Sequence, residues 1–543
     1  MRRRIAPLGA AAAALLIAIG AAAPAQAADP ASLAERTTAE AVFAHLEQLQ
    51  RIAVANGGNR AAGQPGYAAA ADYIEGLLVE AGYTTERQPF ETSVQDLESA
   101  ALAVTGAAPV PLDEPSILEF APSGDVTGAV IEPAAPTGCS AEEWAGVDAT
   151  GSVALVQRGV CSFAEKNLAA AAAGAIGVLV YNNVPGPLGG TLGGSDPGFV
   201  PGFGLSDTEG AAILAELAAG PVTASLQIVE TTSLIETFNL IAETPTGRDD
   251  NTVVVGAHLD SVPEGPGIND NGSGSAAILE TALRLAEEGE LENQVRFAWW
   301  GAEEVGLVGS YAYVDALPEE ELAQIAAYLN FDMVGSPNYV VATYDADEST
   351  FPAPAAPPAG SAAVEDVFTD YFAAAGQPVI DTAFDSRSDY AAFIDAGIPS
   401  SGVFTGADDI KTPEEAALFG GVVGDAHDPN YHSAEDDLDN VSLDALRITV
   451  PSIAFAVGSL SESTEAVNGV APIVDEDPVD PGAPVTPVTP GAPGAPAAQE
   501  PIETLPSVGA DGSAISAALG ALLLLVGLGT ALVARTGRVR DTR

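Results

Sequence analysis

Thr252-Val253-Val254-Val255-Gly256-Ala257-His258-Leu259-Asp260 is an apolar run of strand length that ends in ionisable residues. Runs of the same kind occur at 294–300, 326–331 and 402–405, and 275–287 reads as an amphipathic helix. Strand and helix signals alternate from about 234 to 462, which predicts an α/β sandwich around a mainly parallel sheet. In such sheets ligands gather beyond the carboxyl ends of the strands.

Chemistry-bearing residues stand at those ends. His258 and Asp260 close the first run, and Gly267-Ile268-Asn269-Asp270-Asn271-Gly272-Ser273-Gly274 opens the helix that follows. Glu303 and Glu304 come after the run at 294–300, Asp332 after that at 326–331, and Asp428-Pro429-Asn430-Tyr431-His432-Ser433 lies in a loop further on. Imidazole nitrogen and carboxylate oxygen suit zinc. Two ions ~3.5–4 Å apart that share one carboxylate need about five ligating residues. A single ion would leave a surplus of mutually repelling acids, so the set favours two. Each residue alone has a plainer reading: His258 as a satisfied polar group, Glu303-Glu304 as a solvated turn, Asp332 as a helix cap, Tyr431 as packing. Together, in a chain with only four histidines, they read as a metal site.

The motifs GAHLDS, GINDNGSG, WWGAEEVGLVGS, NFDMVGS, SRSDY and NYHS give about residues 36–462 a specific resemblance to the secreted di-zinc aminopeptidases of the leucine type, which often carry an inserted protease-associated (PA) domain. That resemblance implies a three-layer αβα sandwich with a mainly parallel mixed sheet, the zinc exopeptidase fold, over 36–114 and 229–462. It implies two zinc ions, with Asp270 between them, His258 and Asp332 on one, and Glu304 and His432 on the other. Glu303 would be the general base, Asp260 would orient His258, and Tyr431 would hydrogen-bond the substrate carbonyl. Met333 and Phe404 would border an apolar pocket, and Arg387 matches a position near the substrate, with an ion pair to Asp385 or Asp389 as its alternative. The implied reaction is removal of N-terminal, leucine-like residues from peptides. The chain departs from relatives that flank the Tyr-His pair with cysteines, since Asn430 stands there. Carboxypeptidases that share this fold need a cationic pocket, and Arg387 is the main cation near the motifs. An inactive scaffold would lack the ligands, all of which are present.

Residues 115–228 differ in texture, with short β-like runs at 153–157 and 177–181 around an alanine-rich helix at 164–173. The stretches 157–166 and 174–183 resemble the PA domain, a small β-rich module associated with substrate access. No residue here looks catalytic. Cys139 and Cys161, the two cysteines of the chain, are expected to form one disulfide, as an even count in an exported protein favours.

Length and charge fit this reading. At about 150 residues per domain, 543 residues predict two to four units. Lys and Arg number 19 against 75 Asp and Glu, a net charge of −56, which excludes nucleic acid as a partner because phosphate binding needs clustered cations. Met1-Arg2-Arg3-Arg4, an apolar run over 8–23 and Ala25-Gln26-Ala27 make a signal peptide over 1–27. Residues 466–512 read as a Pro/Gly-rich stalk that holds Leu505-Pro506-Ser507-Val508-Gly509, similar to the LPxTG sorting signal of Gram-positive wall proteins but with Val508 for threonine. An apolar span at 514–534 and a basic tail at 535–543 complete a membrane- or wall-anchored, extracellular layout.

Overall fold

The computed structural model describes residues 28–473 apart from 113, 114, 185, 354 and 355. The expected signal peptide, the LPxxG-like motif, the membrane span and the basic tail lie outside the described residues.

Three apolar strands, Arg248–His258, Asn293–Trp300 and Ile325–Phe331, lie side by side and parallel. Ser400–Phe404 continues the parallel order, while Ala342–Tyr344 and Ile380–Thr382 close that edge, the former antiparallel to Ser400–Phe404. Alternate residues face opposite layers, as the pleat requires. Val253, Val255, Phe297, Trp299, Leu329 and Phe331 point into one core, under Ala39–Ala55, Pro65–Ala81, Gly272–Leu285 and Leu443–Glu462. Val254, Ala298, Trp300 and Tyr328 point into the other, against Val308–Ala316 and Tyr390–Asp395. The result is a three-layer αβα sandwich.

The strand pattern holds with small changes in length, and 153–157 and 177–181 are strands as expected. The helix expected to be amphipathic, Gly272–Leu285, is instead buried on nearly every side, because helices cover the face that it turns away from the sheet. Its glycines permit this. A Cβ on Gly274 would lie 2.1 Å from the carbonyl oxygen of Phe331, so only glycine lets the helix start this close to the strand. Leu443–Glu462, long and apolar enough to cross a membrane, buries Leu446, Val450, Ile453 and Val457 in the core.

The helical apolar spacing that the sequence shows over about 36–95 predicts helices with turns, yet residues 84–95 form the start of the strand Thr84–Thr105. It pairs along its length with Thr223–Glu243, antiparallel. This ribbon joins the two lobes. The far end of Thr223–Glu243 pairs with Asn293–Trp300, and its near end with Gly124–Ile131, so one 13-stranded sheet runs through both. The second lobe has its own core around Leu155, Leu179, Phe203 and Trp144. Cys139 and Cys161 are joined by a disulfide there.

The segment read as a stalk from 466 begins inside the fold. Helix Glu465–Asn468 buries Val467 against the main core, so the first residues of that segment are structural, not extended linker.

Candidate active site at the carboxyl edge of the parallel strands

Because Arg248–His258, Asn293–Trp300 and Ile325–Phe331 run in one direction, their ends deliver His258, the turn with Glu303 and Glu304, and Asp332 to one edge. The loop before Gly272–Leu285 adds Asp270, and the loop before Leu443–Glu462 adds His432.

Asp270 is central. Its Oδ1 lies 3.2 Å from His258 Nε2 and its Oδ2 lies 3.2 Å from His432 Nε2, so each oxygen faces a different imidazole. Asp332 Oδ1 is 3.3 Å from His258 Nε2, and Glu304 Oε2 is 3.0 Å from His432 Nε2. Glu303 Oε2 stands further off, 3.9 Å from His258 Nε2. His258, Asp270, Glu303 and Asp332 are buried, whereas the His432 side chain is 39% exposed.

The electrostatics are those of a site built for cations. Burial by itself would lower both histidines, yet Glu303, Asp332 and Asp270 push His258 well above its ordinary value. Glu304 and Asp270 likewise raise His432 to about 11. Burial pushes Glu304 up to about 7, helped by Asp270 and opposed by His432, and burial also holds Glu303 well above the ordinary carboxylate range, opposed by His258 and helped by Asp389 and Glu304. Glu304 Oε1 and Asp332 Oδ1 are buried without a hydrogen-bond partner. Four carboxylates around two imidazoles, with orphaned oxygens, are costly unless positive charge enters. Two sets, His258 with Asp270 and Glu304, and His258 with Glu303 and Asp332, bring one atom per residue within 4.8 Å of one another, and the donors are those that zinc prefers.

Surrounding residues hold the cluster. Asp260 stands beside His258 and has a second task besides. Its carboxylate accepts the backbone N–H groups of Glu303 (3.2 Å) and Glu304 (3.3 Å), while His258 Nδ1 sits 3.2 Å from its backbone carbonyl and 3.8 Å from Oδ1. Asp436 accepts the N–H groups of Asn269 at 2.9 Å and Asp270 at 3.0 Å. Sequence reasoning missed Asp436, Ser388 (which bonds Asp332) and Arg60 (which binds the loop after His258). Of these, only Ser388 stood within a motif that was singled out.

Met333 and Phe404 border a narrow cavity beside Glu303 and Asp332, with Tyr344, Tyr390, Arg387 and Tyr431. Arg387 pairs with Asp408 at 3.0 Å, not with Asp385 or Asp389, and its guanidinium lies 5.9 Å from the Tyr431 ring centre. The Tyr431 ring stacks on that of His432 at 3.8 Å. Burial, Asp270 and Glu304 raise the Tyr431 phenol well above its ordinary range, which keeps it a proton donor.

The chain matches the family model for peptidase family M28 over residues 239–456 and that for the PA domain over residues 126–213. It is 42% identical over 463 residues to a probable lipoprotein aminopeptidase of Mycobacterium tuberculosis, covering 83% of this chain and 91% of that protein. Its fold resembles an aminopeptidase from Aneurinibacillus sp. strain AM-1 with a TM-score of 0.64 and 29% identity, over 82% of this chain and 98% of that one. A zinc aminopeptidase from Bacillus subtilis gives a TM-score of 0.53 at 25% identity, over 80% and 98%.

Proposed function

This chain belongs to peptidase family M28, and from that premise we propose that it removes leucine-like residues from the N-termini of peptides outside the cell, with Glu303 as general base. It is a zinc-dependent aminopeptidase with an inserted PA domain. The observation that carries the finer reading is the division of Asp270 between His258 and His432, one oxygen to each at 3.2 Å. A carboxylate so placed suits a bridge between two ions. We assign His258 and Asp332 to one and Glu304 and His432 to the other, with Asp270 shared.

When bound, zinc supplies Lewis acidity, which lowers the pKa of water and polarises a peptide carbonyl. The residues of the chain do the rest. Glu303 takes a proton from the attacking water and hands it to the departing amine, which needs a carboxylate within hydrogen-bond reach of both. Tyr431, kept protonated, donates to the carbonyl oxygen as negative charge develops there. Glu303 and Asp332 receive the free α-amine, and the side chain of the first residue enters the recess bordered by Met333 and Phe404. Asp260 fixes the turn that presents Glu303 and Glu304.

A second reading makes Glu303 a ligand, because it also lies within reach of His258 and Asp332. Glu303→Gln and Glu304→Gln separate the two. With Glu303 as base, its variant keeps about two zinc ions per chain while kcat on leucyl-p-nitroanilide falls at least 10²–10⁴-fold. Glu304→Gln loses zinc, and excess metal restores part of its activity. If Glu303→Gln is the variant that loses zinc, the second reading stands.

The leader, the LPxxG-like motif, the apolar span and the basic tail support tethering at the outer cell surface. Truncation after Thr504 should release active enzyme to the medium; a truncated protein that stays on the cell refutes tethering by this segment.

A further inference from the structure

A second cavity, of about 410 Å³, is walled by residues of both lobes. It meets the site at Glu304 and His432, whereas the recess of Met333 and Phe404 meets it at Glu303 and Asp332; the two cavities share no lining residue. If the α-amine lies at Glu303 and Asp332, the peptide beyond the scissile bond leaves through this second cavity. The inference therefore rests on the aminopeptidase reading.

Its lining has a definite character. Asp96, Glu119 and Glu264 contribute carboxylates, Val94, Phe120 and Val305 contribute apolar surface, and among the described residues no lysine or arginine lines it. Glu119 belongs to the PA lobe. Its main chain is pinned, with N–H donating to the Gly190 carbonyl at 2.8 Å and C=O accepting from Leu192 N–H at 3.0 Å. The next residue, Phe120, has a φ of 61° and is clamped by Gln95, whose Oε1 accepts the Phe120 N–H at 2.7 Å while Nε2 donates to the Ala121 carbonyl at 2.9 Å. Glu119 is exposed within this cavity, and its carboxylate accepts a hydrogen bond from the Thr191 side chain. Glu119 and His432 line the same cavity. Val305, next to the Glu303-Glu304 pair, packs against the PA core, so the PA lobe is anchored at the rim of the site.

We propose that Glu119 is a specificity-determining residue that reads a cationic side chain, lysine or arginine, in the first residue after the scissile bond. The alkyl stem of such a side chain lies along Phe120 and Val305, and its charged head meets the Glu119 carboxylate, with Asp96 and Glu264 adding to the attraction. A peptide with an acidic residue there meets like charge and a desolvation cost.

The test compares kcat/KM for Leu-Lys-Ala and Leu-Glu-Ala at 0.5 M NaCl, where attraction to the acidic surface at large is screened. The ratio is the readout, because a general loss of activity or folding cancels from it. The wild type should favour the lysine peptide about tenfold or more. Glu119→Gln should bring the ratio close to one, and Glu119→Lys should invert it. Calorimetric titration in the Glu303→Gln background should show the same contrast in Kd without turnover. Equal kcat/KM for the two peptides in the wild type, or a ratio unaltered in Glu119→Gln, overturns the inference while leaving the aminopeptidase reading intact. A wild type that cleaves neither peptide overturns both.

Discussion

The Ser388 hydroxyl donates to Asp332 Oδ2 at 2.7 Å and itself accepts from Asn330 Nδ2 at 2.8 Å. With Oδ2 held in this way, the oxygen that Asp332 turns toward His258 is Oδ1, which has no hydrogen-bond partner of its own. Removing such a support for a ligand typically costs 10–100-fold in metal affinity. Ser388→Ala should therefore bind zinc about 10–100-fold more weakly, with most of kcat recovered at saturating zinc. Competition against a chelator of known affinity measures this, and unchanged affinity would show that Asp332 needs no such support.

Arg60 is wholly buried, yet none of its hydrogen bonds goes to a carboxylate. Its guanidinium donates to the carbonyls of Leu259, Pro266 and Gly267, and its N–H donates to Ser261 Oγ at 2.9 Å. It thus grips the loop that joins His258 to Asp270. Burial lowers its pKa to about 10, against the pull of Asp260, Asp436, Asp270 and Glu304, so it stays charged at neutral pH. Arg60→Met should strand three carbonyls and remove a cation that four buried acids share. The expected cost is about 3–5 kcal/mol, read from urea midpoints, together with reduced zinc retention. Arg60→Lys should recover part of both. A Met variant within about 0.5 kcal/mol of wild type, the usual range for surface changes, would mean that Arg60 is not a structural clamp.

The ends of the parallel strands were legible because apolar runs that stop at His258, Glu303 and Asp332 repeat one pattern, and strand direction then brings their ends together. The place of Asp260 two residues after His258 is plain in the sequence, but its bonds to the Glu303 and Glu304 backbone depend on a turn 43 residues away. The ribbon Thr84–Thr105 carried no signal, since it lies mostly exposed or half-buried and so lacks the alternation that a one-sided strand shows. Its register comes from Thr223–Glu243, more than a hundred residues downstream. Backbone shape was equally hidden. Ala302, Met333 and His432 all have positive φ, at 59°, 50° and 55°, although none is glycine. Such conformations cost about 1–3 kcal/mol each and persist only where the surrounding structure imposes them. Glu119 was invisible for a related reason: only the folded chain brings it into the cavity that His432 also lines.

The disulfide should matter to the PA lobe and little to zinc. Lys166 bridges the same loop, donating through Nζ to the carbonyls of Thr137 and Gly159, both at 2.8 Å, so the cross-link reinforces a turn that is already tied. A loop of this length predicts a loss of about 3 kcal/mol when Cys139 and Cys161 are both changed to Ala. Proteolysis should then begin between 139 and 161, with zinc content unchanged. Alkylation of the unreduced wild type should label no thiol; labelling of both cysteines would contradict the pairing.

Glu365 supplies a pH dependence outside the cluster of His258, Asp270 and Asp332. It lies on helix Ser361–Ala375, is 6% exposed, and accepts the Ala346 N–H at 2.8 Å. Burial first, then the charges of Asp347, Asp381 and Asp345, raise its pKa from 4.5 to about 7, although the Ala346 bond opposes this. Between those two values the folded protein holds a proton that the unfolded chain has released. The folded state binds more protons, so stability falls as pH rises through this window, and the loss is complete above the folded pKa. Glu365→Gln keeps an oxygen for Ala346 and cannot ionise. It should match the wild type near pH 4.5 and exceed it at pH 8 by on the order of 2 kcal/mol, below the limit that the full shift would allow. Urea midpoints for both proteins at the two pH values decide the matter. A variant that is no more stable than wild type at pH 8 would mean that the Glu365 carboxylate is already compensated where it stands.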